Sequence, residues 1–243
     1  MPEGPSIVIL KEEVQQFSGH KVLEVSGNSS IEISRLQNKI IRGFKTWGKH
    51  FLICFDDFTI KIHMLMFGTY RINERKETTP RLSLIFANGE LHFYTCSIKI
   101  LEGDINLYYN WEEDVMNENW NPKKAKQSMD KIPDKLICDA LLEQNIFSGV
   151  GNIIKNEVLY RCKIHPESLV GKIRKKDIQS LIDESVTYSF QFLEWKKNDE
   201  LKQHWLAHTK NMCVRCDLSI IKKYTGVKKR RSFFCTNCQK LYQ

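Results

Sequence analysis

The spacing of apolar residues predicts a helix followed by a β-rich region. Over residues 5–17, apolar side chains recur at steps of three and four, which is typical of a helix with one buried face. Gly19 is placed to end that helix. From residue 20 to about 101 apolar and polar positions alternate, and Asn88-Gly89 separates two alternating runs as a hairpin turn does. Several short strands in succession predict an antiparallel sandwich or barrel.

The alternation ends in the middle of the chain. Residues 102–131 are rich in Asn, Asp, Glu and Trp, and Pro122 opens a basic run there, so we place a domain boundary near residue 120. Helical patterns return at about 133–145, 152–162, 175–195 and 199–208. The predicted domains are residues 1–120, 121–209 and 210–243, the last a small unit bounded by cysteines.

Length and hydropathy exclude several classes of protein. A chain of 243 residues buries a core without disulfide bonds. No apolar run approaches the roughly 18 residues of a membrane helix, and the mean hydropathy is −0.40. The start, Met1-Pro2-Glu3-Gly4-Pro5, lacks the basic and apolar regions of a secretory signal. We expect an intracellular protein without a membrane partner, cytoplasmic if the source is bacterial.

The two halves of the chain differ in charge. Residues 1–120 carry 13 Lys and Arg against 16 Asp and Glu, whereas residues 121–243 carry 24 against 13. A basic half of net charge +11 beside a half of −3 is typical of a protein that binds a polyanion. A solvated lysine-rich surface explains the same numbers equally well.

Four of the eight cysteines have the spacing of a metal site. Two Cys-x2-Cys pairs can present four thiolates to one tetrahedral zinc ion, which then has no open position for catalysis. The spacing predicts one structural zinc ion (Zn2+) holding a β-hairpin, with four reduced, metal-free cysteines as the alternative. The four are Cys213, Cys216, Cys235 and Cys238. The others are expected to be buried thiols in a reducing compartment: Cys54, Cys96, Cys138 and Cys162.

Two segments have the chemistry of phosphate contacts. Gly149-Val150-Gly151-Asn152 would turn tightly between two helices and expose backbone N–H groups at the start of the second. An ordinary connection with Asn152 as the N-cap is the alternative. Lys228-Lys229-Arg230-Arg231 is expected at the hairpin tip, either as a phosphate probe or as a solvated turn.

The N-terminus offers a nucleophile. Removal of the initiator Met would leave Pro2 as a secondary amine with a pKa near roughly 7.7–8. Such an amine attacks a sugar C1′ to give an iminium ion, an electron sink for eliminations, and Glu3 is an adjacent carboxylate that moves protons. An unremarkable start to the chain is the alternative.

The predicted sheet supplies two more candidates. Lys49 lies in a turn before the strand at residues 51–55. Leu65, Met66 and Phe67 follow a strand end and precede a glycine. Consecutive apolar residues at a turn are either core or a wedge that enters a DNA base stack.

In their order and spacing, these motifs resemble the formamidopyrimidine-DNA glycosylase and endonuclease VIII family of base-excision repair enzymes. The resemblance spans almost the whole chain. It implies an α+β fold with an N-terminal helix plus antiparallel β-sandwich, a C-terminal helical domain with a helix–two-turns–helix motif, and a zinc β-hairpin finger. It rests on Pro2–Pro5, Gly48-Lys49, His63–Gly68, Leu142–Gln144 through Asn152 to Glu157, Ile164–Pro166, and the finger ending Cys238-Gln239-Lys240.

The resemblance also implies roles for single residues. The implied catalytic set is Pro2 as nucleophile, Glu3 as the carboxylate that transfers protons, and Lys49 and Arg230 near the phosphates of the lesion. The implied DNA contacts are Asn152 and Arg230 on phosphates, and the void-filling loop of Leu65, Met66 and Phe67. Glu157 matches a carboxylate near the nucleophile, with a structural role.

The implied activity is that of a bifunctional DNA glycosylase and AP lyase. It would act as a monomer on damaged, mainly double-stranded DNA. A non-catalytic zinc-finger protein that senses lesions or abasic sites is the alternative from another class. Pro2 and Glu3 discriminate between the two, because a pure binder needs neither.

Some positions depart from the family pattern. Ser6 stands where a second glutamate is usual, and the spacing inside the finger leaves Arg230 and Arg231 interchangeable by one residue. The stretch 94–100 lacks the Arg and Phe that the formamidopyrimidine branch inserts into DNA, and the segment between residues 195 and 213 is short for its lesion-capping loop. Both features resemble endonuclease VIII, which prefers oxidised pyrimidines.

Overall fold

The computed structural model describes residues 2–243, and the chain divides into two compact units after Asn110. The first unit contains a helix and two antiparallel sheets, and the second contains helices and a two-stranded hairpin. The predicted α+β fold class is confirmed. The cysteine-bounded finger lies within the second unit.

The first unit is a β-sandwich with one helix against it. Its strands form two four-stranded sheets of order β1-β6-β7-β5 and β2-β3-β4-β8. Alternate residues of both sheets meet in one core that contains Phe51, Ile60 and Phe93. Helix α1 (Gly4–Glu13) buries Ile7 and Leu10 in the same core. The strands are β1 (Glu24–Ser26), β2 (Gly43–Trp47), β3 (His50–Cys54), β4 (Phe58–His63), β5 (Thr69–Ile72), β6 (Leu82–Phe86), β7 (Gly89–Tyr94) and β8 (Ser97–Glu102).

The second unit is built around the packing of two helices. Val158 of α4 and Tyr188 and Phe192 of α5 are buried in its core, and α4 also contacts strand β10. The finger hairpin is therefore packed on a helix rather than projecting freely. The elements are α2 (Pro122–Asp130), α3 (Ile137–Ala140), α4 (Asn152–Arg161), α5 (Lys175–Lys197), β9 (Ile221–Thr225) and β10 (Arg230–Phe234). Short 3-10 turns occur at Gln15–Phe17, Ile33–Leu36, Ile105–Leu107, Trp111–Glu113 and Val170–Lys172.

Four predictions are wrong, three about helices and one about the tip of the hairpin. Helix α2 lies within residues 102–131, where no regular element was predicted. The side chain of Asn121 caps it by accepting from the N–H of Lys124. The helix predicted for residues 199–208 is absent from the described chain, which forms turns there. Within residues 133–145 the helix is limited to α3, and tight turns follow. The hairpin tip is Gly226–Lys229, so Arg230 and Arg231 lie on β10 instead of at the tip.

Candidate functional site

Pro2 and Glu3 precede the first turn of α1. Glu3 is the N-cap residue with an extended backbone, and its carbonyl accepts from the N–H of Ser6 at 2.9 Å. Pro5 fits the first turn because its missing N–H would have no helical partner. Glu3 is only 1% exposed, whereas Pro2 is partly exposed. A buried carboxylate thus adjoins the candidate nucleophile; Met1, whose removal the mechanism requires, lies outside the described residues.

Lys49 occupies a two-residue turn that joins β2 to β3. Gly48 has a φ of +52°, which glycine adopts without strain. The turn places Lys49 beside a cross-strand pair of histidines, His50 and His63, whose ring centroids are 5.6 Å apart. The candidate site at this turn therefore includes two imidazole rings as well as the lysine.

Burial and nearby lysines favour the neutral form of both histidines. Burial lowers the pKa of His50 to about 4, and the charges of Lys61 and Lys49 act in the same direction. Burial, with Lys49 and Lys61, also lowers the pKa of His63. The Nδ1 atom of His63 accepts from the N–H of Leu65 at 3.1 Å, so the neutral ring carries its proton on Nε2. Sequence reasoning missed His63 as a site residue, although it opens the His63–Gly68 segment.

The segment after His63 forms a tight turn with exposed apolar side chains. The N–H of Gly68 donates to the carbonyl of Met64 at 2.7 Å, and a Cβ on Gly68 would lie 1.9 Å from that oxygen. Met64 is buried, but Leu65, Met66 and Phe67 are 45%, 49% and 75% exposed. These three side chains are therefore not core residues, and they form an apolar protrusion.

The connection between β7 and β8 is a sheet corner of two residues. It consists of Thr95, with a φ of +52°, and Cys96, which is buried. Because β7 and β8 belong to different sheets, the chain has no length here for a protruding loop. The corner agrees with the lack of an Arg–Phe pair in this stretch.

Gln144 holds the two turns between α3 and α4. Its side-chain amide donates to the carbonyls of Leu142 and Val150, both at 3.1 Å, and its Oε1 accepts from the N–H of Gly149 at 3.2 Å. Gly149 has a φ of +96°. One side chain thus satisfies backbone groups on both turns, which stabilises the connection between the two helices.

Asn152 is the first residue of α4, and its side chain does not cap the helix. The N-cap residue is Gly151. The Nδ2 atom of Asn152 donates to the carbonyl of Arg231 at 3.0 Å. An amide nitrogen carries two protons, so one donor of Asn152 remains for a phosphate at a helix N-terminus.

Buried polar groups fix the hairpin to the helices. The carboxylate of Asp139, which is 2% exposed, accepts from the N–H groups of Val227 at 2.8 Å and Lys228 at 3.2 Å. Fully buried Lys155 donates to the Oγ of Ser232 at 2.9 Å and to the carbonyl of Arg231 at 3.3 Å. These bonds set the position of β10 relative to α4.

The register of β10 separates the roles of its two arginines. Arg230 and Ser232 lie on one face of the strand because side chains alternate, and Ser232 contacts Lys155 of α4. Arg231 lies on the other face, where its Nη2 donates to the hydroxyl of Tyr224 at 2.8 Å and its guanidinium lies 5.1 Å from that ring. Arg230 is therefore the arginine that shares a face with α4.

The four predicted metal ligands converge. The Sγ atoms of Cys213, Cys216, Cys235 and Cys238 all lie within 4.8 Å of one another, and those of Cys213 and Cys238 are 3.7 Å apart. Four thiolates around a tetrahedral zinc ion at about 2.3 Å would be about 3.8 Å apart. The cluster can hold a metal ion. Tyr160 contacts Cys213 Sγ at 3.2 Å, and Asn237 donates to Cys216 Sγ at 3.3 Å.

Glu157 is a structural anchor. Its carboxylate is fully buried and accepts from three consecutive backbone N–H groups, those of Leu206, Ala207 and His208, at 2.7 to 2.9 Å. These donors are not available to helical carbonyls, which accounts for the failed helix prediction over 199–208.

Two family models match the chain. The formamidopyrimidine-DNA glycosylase N-terminal domain matches residues 1–97, and the formamidopyrimidine-DNA glycosylase H2TH domain matches residues 112–191. The chain belongs to the formamidopyrimidine-DNA glycosylase and endonuclease VIII family. This is the family that the sequence motifs resemble, so that prediction is confirmed.

Curated relatives come from both branches of the family. Endonuclease 8-like 3 of Mus musculus is 27% identical over 223 residues, covering 88% of this chain and 37% of the relative. Formamidopyrimidine-DNA glycosylase of Lactococcus lactis subsp. cremoris is 26% identical and matches 98% of this chain and 99% of its own length. The chain thus spans little more than a third of the mouse relative.

Solved structures of DNA glycosylases share the fold. A viral DNA glycosylase has a TM-score of 0.84 at 23% identity, covering 98% of this chain and 100% of that one. Lactococcus lactis formamidopyrimidine-DNA glycosylase, bound to DNA with an abasic site, has a TM-score of 0.87 at 24% identity, covering 98% and 99%. A complex of the wild-type Lactococcus lactis enzyme with oxidised-pyrimidine DNA has a TM-score of 0.86 at 25% identity, covering 98% and 100%.

The helices of this family member are short or amphipathic. Within residues 2–243, none has both the length and the apolar character that crossing a bilayer requires.

Proposed function

We propose that the chain is a bifunctional DNA glycosylase and abasic-site lyase that removes oxidised pyrimidines from double-stranded DNA. The observation that carries the proposal is the pairing of Pro2 with the buried Glu3 at the start of α1, in a chain of this family. A DNA-binding module has no use for a secondary amine next to a buried carboxylate. The family alone supports base-excision repair as the process.

Pro2 would act as the nucleophile once Met1 is removed. Its unprotonated nitrogen attacks C1′ of the damaged nucleotide, the glycosidic bond breaks, and the base leaves with a proton. The sugar ring opens as the nitrogen–carbon iminium forms. Loss of a C2′ proton then expels the 3′ phosphate, and water releases Pro2 from the cleaved strand. Glu3 would deliver and remove protons in these steps.

Four side chains would bind the phosphates that flank the lesion. Lys49 and Arg230 supply charge, Asn152 supplies its second amide proton, and His63 supplies its Nε2 proton. A neutral His63 suits this role because it remains a donor without adding charge beside Lys49. Together these contacts would hold the nucleotide flipped out of the duplex.

The exposed loop supports the substrate class. Leu65, Met66 and Phe67 would fill the gap left by the flipped nucleotide through apolar contact, which reads no base code. The two-residue corner at Thr95 and Cys96 leaves no arginine to read the opposite base. Weak discrimination of that base fits the endonuclease VIII branch.

The finger would hold zinc through its four cysteine thiolates. Zinc supplies folding energy at such a site and takes no part in catalysis. The described protein would act as a monomer.

Product analysis separates this function from a lesion sensor. The protein is incubated with end-labelled duplex carrying thymine glycol, and released base and cleaved strand are measured separately. We expect both products, and strand cleavage of a preformed abasic site as well. Tight binding without either product would establish the non-catalytic zinc-finger sensor instead.

A further inference from the structure

Three lysines form a row across the outer face of the sheet that carries Lys49. Lys45 on β2 pairs with Leu52 on β3, and Leu52 pairs with Lys61 on β4. Lys61 pairs in turn with Lys99 on β8. Paired residues of antiparallel strands project to the same side, so Lys45, Lys61 and Lys99 share a face. We call this set the lysine row.

The row faces away from the core of the sandwich. The residues that alternate with its members, such as Phe44, Ile60 and Ile98, are buried in that core. Leu52 lies in the middle of the row and is fully buried even though it projects outward. The aliphatic stems of long side chains commonly cover such a residue while their charged ends reach water.

Two members of the row, Lys61 and Lys99, pair directly across neighbouring strands without a neutralising partner among the described side chains. Within residues 2–243, the ammonium groups of Lys61 and Lys99 make neither an ion pair nor a hydrogen bond with a side chain. Like charges directly opposite on neighbouring strands destabilise a sheet. Of the outward-facing positions described on β2, β3, β4 and β8 between Gly43 and Leu101, none carries a carboxylate.

The positive charge of these lysines also lowers the pKa values of neighbouring groups. Burial and the charge of Lys99 lower the pKa of Lys61. After burial, Lys61 and Lys49 are among the charges that lower the pKa of His50 and His63. Binding of an anion would relieve the repulsion between these lysines, so the arrangement suits a polyanionic ligand.

The row continues from the turn that holds Lys49. The next outward-facing positions on the same strands, on the side of that turn, are Trp47, His50, His63 and Ser97. Strands lie roughly 4.8 Å apart, so three spacings carry the row roughly 14 Å across the sheet. Along the axis of a duplex, where one strand rises roughly 3.4 Å per nucleotide, that length would span roughly four nucleotides.

We propose that the lysine row binds the phosphodiester backbone of the damaged strand, beyond the nucleotides that flank the lesion. The proposal rests on the proposed function, because it takes Lys49 to lie at the phosphates of the lesion. Separate point charges spread across the face of a sheet suit a polyanion, whereas a single phosphate requires donors that converge. Because Lys49, next to the row, is proposed to contact DNA phosphates, we take the polyanion to be the substrate strand.

The test measures binding of DNA with an uncleavable abasic analogue at several salt concentrations. Lys61→Gln/Lys99→Gln removes two charges, and we expect about tenfold weaker binding and a log–log salt slope reduced by about two. On a probe whose damaged strand ends two nucleotides from the lesion on each side, this variant and the wild type should bind alike.

Two matched variants control the experiment. Lys11→Gln/Lys21→Gln removes the same net charge elsewhere in the first unit and should keep the wild-type slope. Lys61→Arg/Lys99→Arg keeps the charge and should also keep it. The melting temperature of Lys61→Gln/Lys99→Gln should equal or exceed that of the wild type, because a repulsion is removed; a lower value would contradict the repulsion.

The outcomes distinguish this proposal from the proposed function. An unchanged slope in Lys61→Gln/Lys99→Gln, or an equal loss in Lys11→Gln/Lys21→Gln, would overturn the lysine row as a DNA track. Equal losses on short and long probes would overturn its placement beyond the flanking nucleotides. Binding does not require turnover, so a protein that excised nothing would still show or lack the predicted slope.

Discussion

The side-chain amide of Asn152 donates to the main-chain carbonyl of Arg231 across 3.0 Å. This bond ties the first residue of α4 to the second residue of β10. The same carbonyl accepts from Asn156 and Lys155, both at 3.3 Å, so the strand has little freedom beside the helix. Arg230, one residue earlier, is therefore held in a fixed position relative to the N-terminus of α4.

Arg230→Ala should weaken DNA binding and reduce the log–log salt slope by about one, because one phosphate contact is lost. Arg231→Ala is the matched control, since that guanidinium is already bonded to Tyr224 on the opposite face. Fluorescence anisotropy at several salt concentrations measures the slope for both variants. An effect on the slope in Arg231→Ala alone would show that the finger is misaligned by one residue.

Cys216→Ser should disorder the finger and weaken DNA binding, because three thiolates hold zinc less tightly than four. Cys54→Ser removes a thiol outside the cluster and should leave the metal content unchanged. Elemental analysis of protein purified without chelator gives the stoichiometry, which we expect to be one zinc per chain. A wild-type preparation without stoichiometric zinc would contradict the assignment.

The sandwich was predictable because apolar and polar residues alternate in strands such as Phe58–His63, as expected when one face of a strand is buried. Helix α2 was not predicted, although Asn121-Pro122 is a sound start signal: an N-cap side chain followed by a proline in the first turn. Its Lys-rich sequence hides the single buried stripe of Ala125 and Met129. The lysine-rich composition therefore led to a prediction of irregular structure despite the capping signal.

Long-range polar contacts were beyond sequence reasoning. Glu157 occupies the N–H groups of residues 206–208, about fifty positions away, and no local pattern announces that contact. His63 becomes a candidate site residue only through the strand register, which pairs it with His50. The cysteine cluster, by contrast, was visible from spacing alone, because two Cys-x2-Cys knuckles have few other uses.

His50 should make the stability of the first unit depend on pH. Its pKa is about 4 in the folded protein, owing first to burial, against about 6.5 in the unfolded chain. The unfolded chain therefore takes up a proton first as the pH falls, so the free energy of unfolding decreases between pH 6.5 and 4 and is level above pH 7. After discounting for partial exposure, the loss at pH 4.5 is about 1–2 kcal/mol.

Urea unfolding at pH 7.0 and 4.5 tests this account of His50. His50→Phe keeps a ring against Trp47 and Tyr109 but cannot be protonated. It should lose less stability between the two pH values than the wild type, by that same amount. Equal losses in the two proteins would remove His50 as the cause.

The enzyme should excise thymine glycol or dihydrouracil faster than 8-oxoguanine opposite cytosine. The apolar loop of Leu65, Met66 and Phe67 has no donor or acceptor code, so the identity of the opposite base should matter little. Single-turnover rates on matched duplexes, with each lesion opposite all four bases, give the answer. Faster excision of 8-oxoguanine with a strong preference for cytosine would place the enzyme in the other branch.

The central claim is that the amine of Pro2 forms a covalent bond with the sugar. Borohydride reduces an iminium to a stable amine, so incubation with abasic DNA and borohydride should trap the protein on DNA. Mass spectrometry should then locate the adduct on residue 2, and protein that retains Met1 or carries an N-terminal tag should bind DNA without being trapped. Glu3→Gln should still be trapped on a preformed abasic site but remove bases slowly. An adduct on a lysine, or full trapping by the unprocessed protein, would contradict the account.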